Sequence, residues 1–319
     1  MSKLIDFDKA DKAKGVYYGG DAGAKDAIIY NGEAWMLKYP KTTRDLENPQ
    51  ISYTTSPLSE YLGSKIYETL AIPVHETMLG MRKNKVVVAC KDFTRRLDDG
   101  SAPFSGVRGL WLEKQLIPFH DIKNSFMSSN LESYSGSGSE TLLDEVLATI
   151  NGQEDLQTIV GVPERFWDMF VIDAFIGNND RNNGNWGILI DIRSGDISLA
   201  PVYDNGNAFF NKRSLTQMEK RLKNEKAMGE DAYENPLCAY KYTGLDNEGH
   251  RINPLTFIRQ GENQGCNTAV SRFVKAVNMD EIKKIIDDIP EVAGHLAVMP
   301  QIQKTFYLEL LQIRLKQLI

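Results

Sequence analysis

Near the N-terminus turn and strand signals alternate, and further on the apolar positions take up helical spacing. "DAIIY" and "EAWMLKY" read as two strands joined by Asn31-Gly32. Both residues of that pair accept positive φ, which makes it a strong hairpin signal. Between Leu58 and Leu70 the apolar residues Leu58, Tyr61, Leu62, Ile66 and Leu70 roughly follow helical spacing. Ser56-Pro57 supplies an N-cap and a first-turn proline for that helix. "IPVHETMLGMRKNKVVVACKDF" gives two more strands around the polar turn Arg82 to Lys85. Residues 1 to 15 are charged and are expected to be loose. The first 95 residues therefore predict a small antiparallel sheet with one helix.

The remainder reads as mostly helical. After the Ser/Gly-rich stretch "SNLESYSGSGSE" a helix starts at about Thr141. "PERFWDMFVIDAFIG", Pro163 to Gly177, is apolar on most faces and is expected at the centre of a lobe. "WGILIDIRSGDISLAPVYD" reads as strand, turn (Arg193 to Asp196), strand. Residues 211 to 262 are polar and weakly periodic, a long mobile-looking insert. The last 50 residues predict two helices, roughly 267 to 288 and 291 to 318, broken at Pro290. The fold class is α+β with two lobes: a nucleotide-binding lobe over 1–95 and a helical catalytic lobe over 96–319.

Composition narrows the class. With 319 residues, 42% hydrophobic and 25% charged, the chain can bury a sizeable core. The net charge of -6 gives no global attraction to nucleic acid, so no direct nucleic-acid binding is expected. Cys90, Cys238 and Cys266 are far apart and match neither a zinc spacing nor a disulfide framework; buried, inert thiols in a reducing compartment are expected. There is no apolar signal core and no run long enough for a membrane span. The expected location is the cytoplasm, with non-classical secretion left open.

The chemistry concentrates in "FIGNNDRNNGNWGIL", residues 175 to 189, with five Asn, one Asp and one Arg between apolar flanks. Asp180 followed five residues later by Asn185 is the catalytic-loop spacing of protein kinases, and Asp204 in "YDNGNAFF" follows after a hairpin. Phosphoryl transfer needs a carboxylate to orient the attacking hydroxyl and take its proton, here Asp180. It also needs hard oxygen ligands for Mg2+, here Asn185 and Asp204. The alternative for this stretch is an Asn/Gly-rich turn with satisfied hydrogen bonds. Asp168 and Asp173, on the preceding helix, are expected to be structural or exposed.

The upstream lobe supplies nucleotide contacts for ATP. Lys38 ends a strand, where a kinase lysine grips the phosphates, and Glu60 can pair with it from the helix. "GGDAGAK" offers Gly19, Gly20 and Gly23 for close backbone approach and Lys25 for charge. It departs from the Walker pattern, since Asp26 follows Lys25. Lys91 and Phe93 sit where a hinge would pair with the adenine edge through main-chain atoms. Taken singly, each of these also reads as an ordinary strand end, turn or first-turn Glu.

In this order the motifs resemble the HipA-like serine/threonine kinases. "WDMFVIDAFIGNNDRNNGNWGIL" with "LAPVYDNG" is similar to their catalytic core, and "SEYLGSKIYETLAIPVHETMLG" with "VVVACKDF" to a smaller bacterial branch of the family. The resemblance implies a protein-kinase-like fold, ATP and Mg2+ as cofactors, a protein substrate with a Ser/Thr hydroxyl, and autophosphorylation. Many members carry His two residues after the catalytic Asp; Asn182 stands there and is the candidate phosphate contact. The sequence does not support an antitoxin-like partner, nor a serine in the Gly-rich loop for self-regulation. Ser133, Ser135, Ser137, Ser139, Ser214 and Thr216 fall in expected loops and are candidate autophosphorylation sites. A lipid or small-molecule kinase, or a non-catalytic nucleotide-binding regulator, remains open as an alternative. The basic stretch "NKRSLTQMEKRLKNEK" could hold an anionic headgroup in the first case.

Overall fold

A computed structural model describes residues 4–19, 24–46, 51–97, 110–130, 138–234, 237–243 and 249–319. Its contacts divide the chain into two compact units. The first takes Met1–Gln115, Asn205–Lys223 and Asn278–Leu308; the second takes Leu116–Asp204, Asn224–Val277 and Glu309–Ile319. Where the sequence suggested one boundary near residue 95, the first unit runs on to 115 and receives two later segments.

The first unit is built on a six-stranded sheet of β1 (Ile5–Asp6), β2 (Asp11–Lys12), β3 (Lys25–Tyr30), β4 (Glu33–Lys38), β5 (Thr77–Arg82) and β6 (Lys85–Lys91), in the order β1-β5-β6-β4-β3-β2. All pairs are antiparallel except β1 with β5. The hairpin at Asn31-Gly32 forms as expected, with φ of 49° and 78°. Lys83 and Asn84 hold positive φ in the second hairpin. Alternation buries one sheet face as a cluster of Phe7, Ile28, Trp35, Leu37, Tyr39, Val87 and Ala89.

Phe7 corrects the expectation of a loose N-terminus. It is fully buried, and β1 and β2 flank it as edge strands of the sheet. Each is two residues long, too short for alternation to show. α1 (Ser56–Thr69) covers the expected helical stretch, but its N-cap is Thr55 rather than Ser56, with no side-chain cap bond. Later segments dock on it: Ser59 donates to the Ala208 carbonyl at 2.9 Å, and the Thr55 amide to Asn211 at 2.7 Å. A strand pair, β7 (Arg95–Leu97) with β8 (Leu110–Leu112), completes the early part of this unit.

The second unit centres on α5 (Val162–Ile176), buried along most of its length as its all-round apolar sequence requires. Two elements in it were unforeseen. β9 (Lys114–Pro118) lies beside β10 (Gly187–Asp191), which pairs with β11 (Ile197–Leu199). α2 (Phe119–Asn130) follows directly. Lys123 in α2 is fully buried and pairs with Glu145 at 2.6 Å, so a charged position that reads as surface is interior. α3 (Leu143–Gly152) begins close to the expected start, and α4 (Glu154–Thr158) leads to α5.

The stretch 211–262 is not the loose insert its polarity suggested. It forms α6 (Leu215–Leu222) in the first unit, and α7 (Glu225–Tyr233) and α8 (Pro254–Gln260) in the second. Met218, Met228, Tyr240 and Ile252 are buried. These helices run seven to nine residues, too short for a 3.6 period to stand out. The C-terminal pair of long helices is also corrected. Asn278 accepts from the amides of Asp280 and Glu281, ending α9 (Gln264–Ala276) and starting α10 (Met279–Asp288). A small hairpin, β12 (Val292–Ala293) and β13 (Leu296–Ala297), precedes α11 (Gln301–Leu318).

Candidate active site

The first unit holds a buried ion pair. Lys38 ends β4 and Glu60 lies early in α1; Nζ and Oε2 are 2.7 Å apart, with the side chains 9% and 2% exposed. Buried charges persist only when paired and fully hydrogen-bonded. Glu60 meets that condition. Its Oε1 accepts the Asn205 amide at 2.9 Å and lies 3.0 Å from His75 Nε2. Ser64, one turn further along α1, accepts from the Asn205 side-chain amide at 3.0 Å and sits 3.1 Å from the same His75 nitrogen. Burial alone would push Glu60 up; the Lys38 charge and the hydrogen bonds from His75 and Lys38 outweigh it and hold the carboxyl well below its usual range.

Lys25 is the register partner of Lys38, so the two lysines stand side by side on one sheet face. Lys25 Nζ donates to the Gly19 carbonyl at 2.6 Å. Gly20 and Gly23 lie outside the described residues. Just before Gly19, the Tyr18 hydroxyl donates to Asp92 at 2.6 Å. Burial, then the Asp92 charge and hydrogen bond, push the Tyr18 phenol up. The Lys91 amide is used by the Glu76 carbonyl (2.9 Å), and its ammonium pairs with Glu33 at 2.6 Å and Glu76 at 3.3 Å. Phe93 is half-buried just beyond β6.

The second unit holds the Asn-rich loop. α5 ends at Gly177, which takes a left-handed φ of 72° and donates to the Asp173 carbonyl. The chain then turns back under Asp173. Arg181 reaches this buried carboxylate through Nε at 2.8 Å and Nη2 at 3.3 Å. Its Nη1 donates to two carbonyls, Asn185 at 2.9 Å and Tyr203. One guanidinium thus fixes the backbone at Asn185 and at the residue before Asp204. Asn178 adds a bond to Asp173 at 3.1 Å.

Around this frame Asp180 is exposed, with Asn182 donating to its Oδ1 at 3.1 Å. Asn185 Nδ2 donates to the Asp180 carbonyl at 2.6 Å, so its Oδ1 is the end that could serve a ligand. Asn183 is fully buried and donates to the carbonyls of Gly138 and Glu140. The first two amides of α2, Phe119 and His120, donate to the Trp186 and Asn183 carbonyls. Asp204 is partly exposed and holds a positive φ of 57°. The Asn185 amide oxygen and the Asp204 carboxylate are the hard oxygens this loop and the following hairpin could offer a divalent cation.

Residues 20–289 match the family described as HipA-like C-terminal domain. The chain belongs to this family. It is 33% identical over 302 residues to serine/threonine-protein kinase CtkA of Helicobacter pylori (strain J99), covering 95% of this chain and 82% of that protein. The crystal structure of a Helicobacter pylori proinflammatory kinase CtkA superposes with a TM-score of 0.80 and 29% identity, covering 99% and 97% of the two chains. HipA from a Shewanella oneidensis MR-1 toxin–antitoxin complex with HipB and operator DNA gives a TM-score of 0.51 at 11% identity, over 94% of this chain and 66% of that one. That last likeness is one of fold alone. The HipA-like fold is two-lobed and α+β, as the sequence implied.

Sequence reasoning missed four residues that build these sites: Arg181, Asn205, His75 and Ser64. Arg181 and Asn205 directly follow Asp180 and Asp204, and that adjacency was their signal. His75 and Ser64 carry no pattern; only the folded chain places them at Glu60. Asp173 proves structural and buried, and Asp168 pairs with Arg272 at 2.6 Å.

Proposed function

We propose that this HipA-like protein is a serine/threonine protein kinase that transfers the γ-phosphoryl group of ATP, with Mg2+, to a protein hydroxyl. The observation that carries the reading is Arg181, which fixes Asn185 and the approach to Asp204 from one buried guanidinium. The identity to a named serine/threonine kinase supports the chemical class. In this reading residues 1–95 form the nucleotide-binding lobe and 96–319 the catalytic lobe.

Within the first unit Lys38, held by Glu60, takes the phosphates, with Gly19 and Lys25 beside it; Gly20 and Gly23, also proposed for this role from the sequence, lie outside the described residues. Phe93 lines the adenine side through main-chain atoms, and Lys91 could add only its carbonyl, since its amide is taken by Glu76. Within the second unit Asn185 Oδ1 and the Asp204 carboxylate hold the cation. A bound divalent cation neutralises charge on the phosphates. Asp180 orients the attacking hydroxyl and accepts its proton as the oxygen–phosphorus bond forms; ADP leaves with the bridging oxygen. Asn182, whose side-chain amide donates to Asp180 Oδ1, contacts a phosphate oxygen in this reading. Catalysis here is positioning and charge neutralisation.

The partner is a protein bearing an accessible Ser or Thr, this chain itself included. Ser139, Ser214 and Thr216 are candidates among the described residues, although Ser214 is the N-cap of α6 and Thr216 lies in its first turn rather than in a loop; Ser133, Ser135 and Ser137 lie outside them. Among the described residues no helix is long and apolar enough to cross a membrane. Three free, buried cysteines fit the proposed cytoplasmic setting. The test is incubation with Mg-ATP followed by intact-mass and peptide mass spectrometry, with Asp180→Ala alongside. Wild type is expected to gain phosphate on Ser or Thr, and the variant to gain none while ATP still raises its melting temperature. Equal phosphate gain in Asp180→Ala would overturn Asp180 as the base. No gain in either, with ATP still stabilising both, would count against a protein kinase.

A further inference from the structure

Glu60, His75 and Cys90 bring a carboxylate oxygen, an imidazole nitrogen and a thiol sulfur within 4.8 Å of one another. All three residues are buried. They project from three elements of the first unit: α1, the segment before β5, and β6. The nitrogen and oxygen already approach to 3.0 Å, and Cys90 stands opposite Thr77 in the β5–β6 register, two residues from His75. We propose that this trio is an inhibitory site for a thiophilic divalent cation of the Zn2+ type.

The donor set decides the ion. Imidazole, carboxylate and thiolate together suit Zn2+, whereas Mg2+ prefers oxygen ligands and keeps its waters. Three protein ligands with a water in the fourth position is a common zinc arrangement. Coordination releases the Cys90 thiol proton to solvent, and it requires the His75 ring proton on Nδ1 so that the Nε2 lone pair faces the ion. His75 then gives up its bonds to Glu60 and Ser64.

Charge explains why occupancy inhibits. In the free protein one buried carboxylate balances one buried ammonium, Glu60 with Lys38. Adding a 2+ ion and removing one proton leaves the cluster one positive charge richer. The cation draws on Glu60 and repels Lys38, so the pair that positions Lys38 is lost. The inhibitory half rests on the kinase reading; the metal-binding half does not.

Co2+ is the probe, because a thiolate-bound tetrahedral Co2+ shows a thiolate-to-metal charge-transfer band and strong visible bands. Full-length wild type titrated with Co2+ is expected to develop both, and Zn2+ to abolish them. Cys90→Ala should lose the charge-transfer band while Cys238 and Cys266 remain as internal controls. No band in wild type, or a band retained in Cys90→Ala, overturns the site. If far-UV circular dichroism shows that Cys90→Ala does not fold, His75→Gln takes its place. It keeps a hydrogen-bonding side chain without the ligating nitrogen and should weaken Co2+ binding at least about tenfold, the low end for losing even an outer-shell partner. Unchanged affinity there overturns the site as well. In autophosphorylation assays the half-inhibitory Zn2+ concentration should rise at least about tenfold in Cys90→Ala. Equal inhibition of both proteins overturns the inhibitory half. Cys90-dependent Co2+ bands in a protein that phosphorylates nothing would uphold the metal site and remove the kinase reading.

Discussion

Replacing Arg181 by Met keeps roughly the length and bulk of the side chain and removes its charge and all its donors. Asp173, almost fully buried, then keeps the Asn178 amide from among the partners described above. Removing one partner of a buried ion pair costs about 3–5 kcal/mol. The carbonyls of Asn185 and Tyr203 lose a donor as well, at about 1–3 kcal/mol each where water does not replace it. These terms overlap, so about 3 kcal/mol is a floor. At roughly 2–4 °C per kcal/mol the second unit should melt about 6 °C or more below wild type. Calorimetry is the assay, because two compact units can melt in separate transitions. Activity should fall further than stability. Both proposed metal ligands are adjacent to or part of the released backbone, and a displacement of about 1 Å costs about a hundredfold in turnover. Arg181→Lys should fall between, retaining charge but losing the fork. A melting temperature unchanged to within about 2 °C, with turnover within about twofold, would refute the assignment of Arg181 as the frame.

Other consequences are open to direct test. Glu60 has a depressed folded pKa, so its stabilisation is present above its ordinary value of 4.5 and is lost as pH falls towards the folded value. Glu60→Gln should therefore melt lower than wild type at pH 7, and the gap should narrow in acid; a constant gap down to the acid limit would contradict the linkage. A Cβ on Gly177 would stand 2.5 Å from Arg314 Nη1, at a φ of +72°. Gly177→Ala should destabilise by at least about 1 kcal/mol in a urea titration, and a neutral result would remove Gly177 as the constraint on the loop's exit from α5. Asp204→Ala should weaken Mg2+-dependent ATP binding in calorimetric titration; undiminished binding would place the cation elsewhere.

Legibility followed periodicity and length. β3 to β6, α1, α5 and the β10–β11 hairpin could be read because each holds its period or ends on a defined turn. Two-residue strands at Ile5 and Asp11 offer no period, and Phe7 looks exposed among charges until the sheet closes over it. α2 and α6 to α8 were masked by short length and by Lys123, a charge buried through pairing. Asp180, Asn185, Asp204, Lys38 and Glu60 could be singled out because kinase chemistry fixes the types and order of such residues. The Lys38–Glu60 contact forms as expected. His75 and Ser64 were not legible, since their role exists only once α1 and the segment before β5 are side by side.

Asp204, Phe209 and Phe210 all hold left-handed backbone, with φ of 57°, 56° and 51°. For L-residues this costs roughly 1–2 kcal/mol apiece, and a phenylalanine has no side-chain hydrogen bond to soften it. Several kcal/mol of tension are thus confined to seven consecutive residues. What restrains it is packing: Phe209 is fully buried with its ring 5.1 Å from Tyr307, and Phe210 lies under the Arg213 guanidinium at 4.1 Å. The stretch behaves as a drawn bow. Hollowing the seat of Phe209, for instance with Tyr307→Ala, would slacken the string, and if Asp204 is a metal ligand as proposed, the recoil would be read there as a loss of cation affinity out of proportion to the loss of heat resistance.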